Sequence, residues 1–378
     1  MTVIYMLDLT KIRYDVVAVT TDGKQLNLTD ITSHLGWEEG EKELSAHISL
    51  QLANVTYQGK RISDYIQPFT PIFIYSFIDG KSVEVIRGTV TKWSWVETNK
   101  EISLSIDAYD EVQALRKNQD EFFFTDGHST SAIIKKILDK WQVPYDYQAC
   151  DVKHSKKAFK KKYLCDMIIE TLKDAKELSG GTFFMRAKEG RIQIIPRGTN
   201  ETIFHFDLAD NLLKTTESFD VGNIVTRVLI VGQDTPKGGG KKSKKKSAQG
   251  GSGEGHQKIE ATIDGRTDLG IRQVIYERPD KTTLEEAEKA AKKILEEQGQ
   301  VKRKTSVESP DIPTLRKGDR VRAKSSTGEG YFFVKSVRHN AAAMKMTMEL
   351  DEDKDYNKEK GIEYDTSQND GVRGSDPP

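Results

Sequence analysis

The residues of this 378-residue chain whose chemistry is easiest to read from spacing are its seven histidines and two cysteines. Zinc held on a helix needs imidazoles one turn apart, and no His-x-x-x-His or His-Glu-x-x-His pair occurs. Cys150 and Cys165 match no metal spacing and are expected to be reduced, small apolar residues. A nucleophilic serine on a strained turn needs Gly-x-Ser-x-Gly; around Ser252 the pattern begins with Gly250 and fails at Glu254. Neither the Gly-x-x-x-x-Gly-Lys-Ser/Thr phosphate loop nor a Gly-x-Gly-x-x-Gly turn between strand and helix occurs. Carboxylates are abundant, but a catalytic pair is defined by separation in space, which spacing along the chain does not give. The expectation is a non-enzymatic protein with no catalytic, cofactor-binding or metal-ligating residue and no cofactor.

Lys+Arg and Asp+Glu both total 58, so no net field draws the whole molecule to nucleic acid or an anionic membrane. With 36% apolar residues and a mean hydropathy of −0.60, no run is apolar enough to cross a bilayer. Asp8, Lys11 and Arg13 interrupt the first apolar residues, so no secretory leader is expected. The length suits two or three domains.

The elements are mainly strands. Ile102, Leu104, Ile106 and Ala108 alternate with Ser103, Ser105, Asp107 and Tyr109, the period of a strand with one buried face. Before them, Thr89, Thr91, Trp93 and Trp95 are expected on one face of a second strand. Gly88 within it marks a bulge or a close backbone approach. A matching pattern returns at Arg320–Lys324, Tyr331–Val337 and Met344–Leu350, with Pro71–Tyr75 standing where the earlier copy needs its first strand. We read two diverged copies of one three-stranded meander. Val16–Thr20 and Leu26–Leu28 flank an Asp22-Gly23 hairpin signal, and Leu44, Ala46, Ile48, Leu50 and Leu52 alternate over a further strand, with His47 on its polar face as a solvated or interface histidine.

Between the copies the period changes to that of helices. Ser129 or Thr130 caps a stripe of Ile133, Ile134, Ile137, Leu138 and Trp141; a second helix turns Leu164, Ile168, Leu172, Ala175 and Leu178 inward and stops at Gly180-Gly181. Thr182–Ala187 and Arg191–Ile195 then pair as a hairpin. The cluster Lys153, Lys156, Lys157, Lys160, Lys161, Lys162 could meet phosphates, but is expected to be a solvated loop before a helix. Thr235–Gly255, rich in glycine and lysine, reads as a flexible excursion between two strands, and Thr282 or Thr283 opens a helix with Leu284, Ala287, Ala291, Ile294 and Leu295 on one side. The expected division is a first β-barrel at 1–115, an α+β domain at 116–200, a second barrel at 201–350 carrying the loop at 235–255 and a helix at 283–299, and a disordered acidic tail at 351–378.

Arg87-Gly88-Thr89-Val90, Ala108-Tyr109-Asp110-Glu111 with Leu115-Arg116-Lys117-Asn118, and Leu315-Arg316-Lys317-Gly318-Asp319 before Val337-Arg338-His339 resemble baseplate hub proteins of contractile phage tails, in the form carried by Bacillus-type defective prophages and phage-tail-like bacteriocins. The resemblance implies an α+β, mainly β fold: two tail-tube-like antiparallel β-barrel domains with an intervening α+β unit. It implies a homotrimer that imitates a six-fold ring between tail tube and central spike, in a virion or tail-like particle assembled in the bacterial cytoplasm. Its implied partners are the tail tube protein, the spike, baseplate wedge or LysM-type adaptor proteins and the tape-measure protein, with no membrane and no specific nucleic-acid binding. In such a ring one strand face packs the core and the other meets lumen or neighbour, making Ser103, Ser105, Asp107, Lys345, Thr347 and Glu349 lumen or interface candidates. A tail-associated cell-wall-degrading enzyme and, less favoured, a nucleic-acid-binding protein are the alternatives.

Overall fold

Alternating apolar residues build the first module. In the computed structural model, which describes residues 11–41, 44–78, 80–99, 102–232, 259–279, 282–325 and 328–362, β1 (Arg13–Val19) and β2 (Gln25–Asn27) form a hairpin whose turn carries Gly23 at φ 81°. β3 (Thr32–Glu39) and β4 (His47–Ala53) follow, then the short pair β5 (Thr56–Tyr57) and β6 (Lys60–Arg61) and a one-turn helix, α1 (Ile62–Tyr65). β7 (Pro71–Ile78), β8 (Lys81–Glu97) and β9 (Ile102–Tyr109) are the antiparallel meander, and the order is β3-β4-β9-β8-β7-β1-β2. Ile48, Leu52, Ile72, Ile74, Val90, Leu104 and Ala108 fill its core. β4 begins at His47, later than the alternation suggested, and Leu44 packs on the core of the α+β unit instead.

Two features of β8 differ from or resolve the sequence reading. Its register against β9 shifts between Val90 and Lys92, so the extra residue Thr91 breaks the face expected to run from Thr89 to Trp95: Thr89 lies opposite Tyr109, whereas Trp93 and Trp95 lie opposite the buried Ile106 and Leu104. Gly88 is a close approach. A Cβ there would stand 2.9 Å from the Tyr109 carbonyl and 3.0 Å from Ile48 Cδ1. Gly88→Ala is expected to cost about 1–3 kcal/mol by overpacking, read as a lower denaturation midpoint; an unchanged midpoint would show that Tyr109 yields freely.

The α+β unit comprises α2 (Val112–Lys117), β10 (Gln119–Phe124), α3 (Thr130–Lys140), β11 (Tyr145–Tyr147), β12 (Lys157–Tyr163), α4 (Leu164–Ser179), β13 (Phe183–Lys188) and β14 (Arg191–Pro196). The Ser129 hydroxyl accepts from Ala132 N (3.3 Å) at the start of α3, and Gly180, at φ 74°, ends α4. The β13–β14 turn places Glu189 and Gly190 at φ 49° and 77°, the left-handed pair a two-residue hairpin needs. Trp141 and Leu178, expected inside, are exposed: Trp141 caps α3 and donates its indole N–H to Asp120 (3.0 Å), and Ala175 is the last buried residue of α4. The lysine cluster is a loop only as far as Lys156. Lys157–Tyr163 form β12 against β10, with Lys157 buried on Asp174 and Lys162 on Glu170, both ammonium groups 5.7 Å from the Phe159 ring.

The second module starts with β15 (Phe204–Asp207) and β16 (Lys214–Asp220). The expectation kept everything to Leu350 in one barrel, but residues 217–304 are a compact unit of their own. In it, β17 (Arg227–Val231) pairs antiparallel with β18 (Ile259–Asp264) and parallel with β19 (Gln273–Glu277), the glycine–lysine stretch between β17 and β18 lying outside the described residues. A Thr283–Glu286 capping box opens α5 (Leu284–Gln298), which buries Ala287, Ala291 and Leu295 against Val228 and Ile230. Leu284, at the first helical position, is exposed, outside the expected stripe. The chain returns through β20 (Lys302–Pro310), β21 (Arg320–Ser325), β22 (Gly328–Asn340) and β23 (Lys345–Glu352). The segment expected to be disordered from Asp351 is ordered through residue 362: Asp353 caps α6 (Lys354–Glu359), and the buried Asn357 amide accepts from Tyr331 N (2.7 Å). Residues 363–378 lie outside the described set.

The second module has the order β16-β20-β23-β22-β21-β15, strand for strand that of β3-β4-β9-β8-β7-β1, with one difference: β1 runs antiparallel to β7 and β15 parallel to β21. Agreement extends to single hydrogen bonds. β22 shifts register against β23 between Val334 and Ser336, as β8 does between Val90 and Lys92. Phe69 N donates to Val90 O (2.8 Å) and Val90 N to Thr70 O (3.0 Å); Gly318 N donates to Val334 O (2.8 Å) and Val334 N to Asp319 O (2.8 Å). Phe69 and Gly318 both have positive φ, 72° and 88°. Thr70 and Asp319 each accept, through a side-chain oxygen, the N–H three residues back, at 2.9 Å.

Candidate assembly surface

Aligning the modules at their bulges makes Ser103, Ser105 and Asp107 on β9 equivalent to Lys345, Thr347 and Glu349 on β23. All six point away from the cores built by the intervening Leu104, Ile106, Met346 and Met348. The two triplets share one sheet, because β22 pairs with β3. β23, β22, β3, β4 and β9 are successive neighbours, so the triplets lie about 19 Å apart, four strand spacings.

Charged side chains span that polar face at the joint. Arg338 donates from Nε to Glu38 (2.6 Å), the other Glu38 oxygen is 3.5 Å from His47 Nδ1, and His47 Nε2 is 3.0 Å from Asp107. His47 stacks on Tyr109 at 4.8 Å. Asp107 joins this chain directly, and Lys345 pairs with Glu308 (3.2 Å).

The opposite face of the joint is closed by aromatic and charged groups that spacing along the chain did not reveal. Trp37 on β3 stacks on His339 of β22 at 4.5 Å, and Tyr14 meets Trp37 edge-on. Asp311 accepts from the Tyr14 hydroxyl (2.6 Å) and lies 2.6 Å from His339 Nδ1, while His339 Nε2 donates to Leu315 O (3.0 Å). Burial, then the Asp311 carboxylate, pushes the Tyr14 phenol far above its ordinary range. The arrangement looks like a proton relay, but the His339 and Asp311 side chains are sealed from solvent and held by each other, by Tyr14 and by backbone, while the buried Trp37 Nε1 has no hydrogen-bond partner among the described residues; it is a clamp between modules.

Beside it lies a buried charge cluster from four parts of the chain. The Arg316 guanidinium forks onto Glu39, through Nε to one oxygen and Nη2 to the other (3.0 Å), and Nη2 also donates to Ala187 O (3.2 Å). Arg186 donates to Asp319 (2.9 Å), and the Ser45 hydroxyl to Asp110 (2.7 Å). Burial alone would raise Glu39; the Arg316 charge and fork outweigh it and hold the carboxyl below its usual range. Asp110 has no such fork, and burial pushes it up to about 7. Asp319 is also raised by burial, with Arg186 opposing. Asp110, Arg316 and Asp319 all fall in the segments that carry the resemblance, which was the one available sign of their importance.

Among the described residues no group of three or more His, Cys, Asp or Glu side chains is placed to hold a metal ion, and no helix is long and apolar enough to cross a membrane. What the surface offers is a continuous polar sheet face and a clamped joint between repeated modules, the equipment of an assembly component. Over 90% of the chain, the fold matches a tail protein from Neisseria meningitidis MC58 (TM-score 0.62, 12% identity, 97% of that chain) and the 43 kDa tail protein of prophage MuSo2 from Shewanella oneidensis (TM-score 0.61, 14% identity, 98% of that chain). In sequence it is 24% identical over 276 residues, 72% of this chain and 78% of the relative, to the phage-like element PBSX protein XkdQ of Bacillus subtilis strain 168. The fold is therefore the one these phage tail proteins share. Residues 74–352 match the YQBQ-like family, and the chain belongs to it.

Proposed function

We propose that this chain is the hub of a contractile phage tail or tail-like particle, three copies forming a pseudo-six-fold ring that joins the tail tube to the central spike. The observation that carries the reading is the repeated strand order merged into one sheet. Three chains with two like modules each present six similar units to a six-fold tube and three identical units to a three-fold spike. With about 19 Å per module, six modules give an inner circumference of about 115 Å and a bore of about 37 Å across the backbone. The six candidates Ser103, Ser105, Asp107, Lys345, Thr347 and Glu349 then line that bore. Tail tube, spike, wedge or LysM-type adaptor and tape-measure proteins are its partners; the role is structural and non-enzymatic, and nucleic acid is not bound specifically. The intramolecular pairing of Lys157 and Lys162 supports that last point.

Sedimentation of the purified chain should give a species of about 128 kDa, three times the 42.6 kDa chain mass. A monomer at every concentration that also releases fragments from peptidoglycan would replace this reading with that of a cell-wall-degrading tail enzyme.

A further inference from the structure

The joint between modules is an internal template for a contact the single chain leaves unmade. β22 gives its first half to β21 and its last residues, Val337–Asn340, to β3. Its counterpart β8 gives its first half to β7, but among the described residues no strand lies beyond Lys92–Glu97 on that side. By the shared bulge, Trp93, Ser94, Trp95 and Val96 stand where Val337, Arg338, His339 and Asn340 stand. The counterparts on the core face differ in cover. Val337 and His339 are 2% and 1% exposed, sealed by the neighbouring module, whereas Trp95 is 52% exposed and stacks on Trp93 (5.1 Å). Val96 is 58% exposed beside it, and Phe69, at the head of the open edge, is 83% exposed. Phe69 also holds a left-handed conformation that its counterpart Gly318 adopts without a Cβ. An open strand edge with bare aromatics invites pairing.

We infer that the Lys92–Glu97 edge of β8 receives strand β16 of a second copy of this chain, head to tail, as β22 receives β3 within one chain. β16 is the equivalent of β3 and ends the strand order at the other extreme of the sheet, so each copy carries one donor and one acceptor edge. The contact restores the four-strand repeat between polar triplets, making the spacing across chains equal to that within one. Register follows from the template. By the shared bulge Thr305 stands where Ile48 stands, and Arg303, on the face of the buried Thr305, donates to Glu217 (2.9 Å), so Thr215 and Glu217 are the residues of β16 on the core face and meet Trp95 of the next copy, as Trp37 meets His339. This inference rests on the ring reading and assigns the strands that close it.

The test is a pair of double-cysteine variants of the full chain, Trp95→Cys with Thr215→Cys and Trp95→Cys with Glu217→Cys, each oxidised and run on a non-reducing gel, since Cα atoms of opposed strand residues lie within disulfide reach. The expected result is a ladder ending at three linked chains in one of the two, absent from every single-cysteine variant. Trp95→Asp, in a chain that keeps its circular dichroism and melting midpoint, is expected to lower the trimer fraction at least tenfold at fixed concentration. A protein that is trimeric as wild type but whose double-cysteine variants cross-link at neither pair and whose Trp95→Asp variant keeps the trimer overturns the strand assignment and leaves the ring standing. Absence of any trimer in the wild type overturns both.

Discussion

Arg316→Met is expected to destabilise the protein by about 3–5 kcal/mol, because it strands a buried Glu39 carboxylate without its only fork and frees the Ala187 carbonyl. Glu39→Leu alone should cost a similar amount by isolating the guanidinium. The double variant should recover most of the loss, since two apolar residues of similar volume leave no unpaired charge in the joint. Urea titration followed by tryptophan fluorescence reads this directly, Trp37 lying on the same strand as Glu39. Additive losses in the double variant would mean that the two side chains act through other partners. Glu39 also carries a pH signature: its folded carboxyl titrates below its unfolded value, so its contribution is present above the unfolded pKa and disappears as the pH falls through the folded one.

Asp110 behaves in the opposite sense. Its carboxyl titrates near the ordinary 3.8 when unfolded and at about 7 when folded, because burial disfavours the charge. Between those values the folded state holds a proton that the unfolded state has released, so stability falls as the pH rises from 4 to 7 and levels off above. The full difference is on the order of 4 kcal/mol. Asp110→Asn keeps an amide oxygen to accept from Ser45 Oγ and Val112 N and has nothing to ionise. The variant should therefore match the wild type near pH 4 and exceed it by a few kcal/mol at pH 8. Unfolding midpoints at four or five pH values decide the matter, and parallel curves for the two proteins would refute it. A trimer whose joint tightens in mild acid is a corollary that sedimentation at pH 5.5 and 8 can check.

Much of the architecture was legible because it is local. Alternation placed β4, β9 and β23, Asp22-Gly23 marked the first hairpin, Ser129 and Gly180 bounded two helices, and a recurring pattern announced the second meander despite scant identity. Short-range rules failed at ends and offsets. One extra residue at Thr91 reversed the faces before and after it; Trp141 and Leu178 kept helical spacing but ran past the core they were meant to enter. The inserted unit at 217–304 looked like more of the same barrel, since a strand's composition does not name its sheet.

What the chain determines by itself is therefore the set of strands, their buried faces and the fact of duplication, all of which follow from backbone periodicity and side-chain solvation within a few residues. Only the tertiary structure decides which strands meet. β3 and β22 are brought together across some three hundred residues, and Glu39, Asp110, Arg316 and Asp319, whose burial no local pattern marks in a chain that is 31% charged, become a buried cluster there. The reason is that pairing between distant edges and the dielectric around a charge depend on the whole packed assembly, for which neighbours in sequence carry no signal.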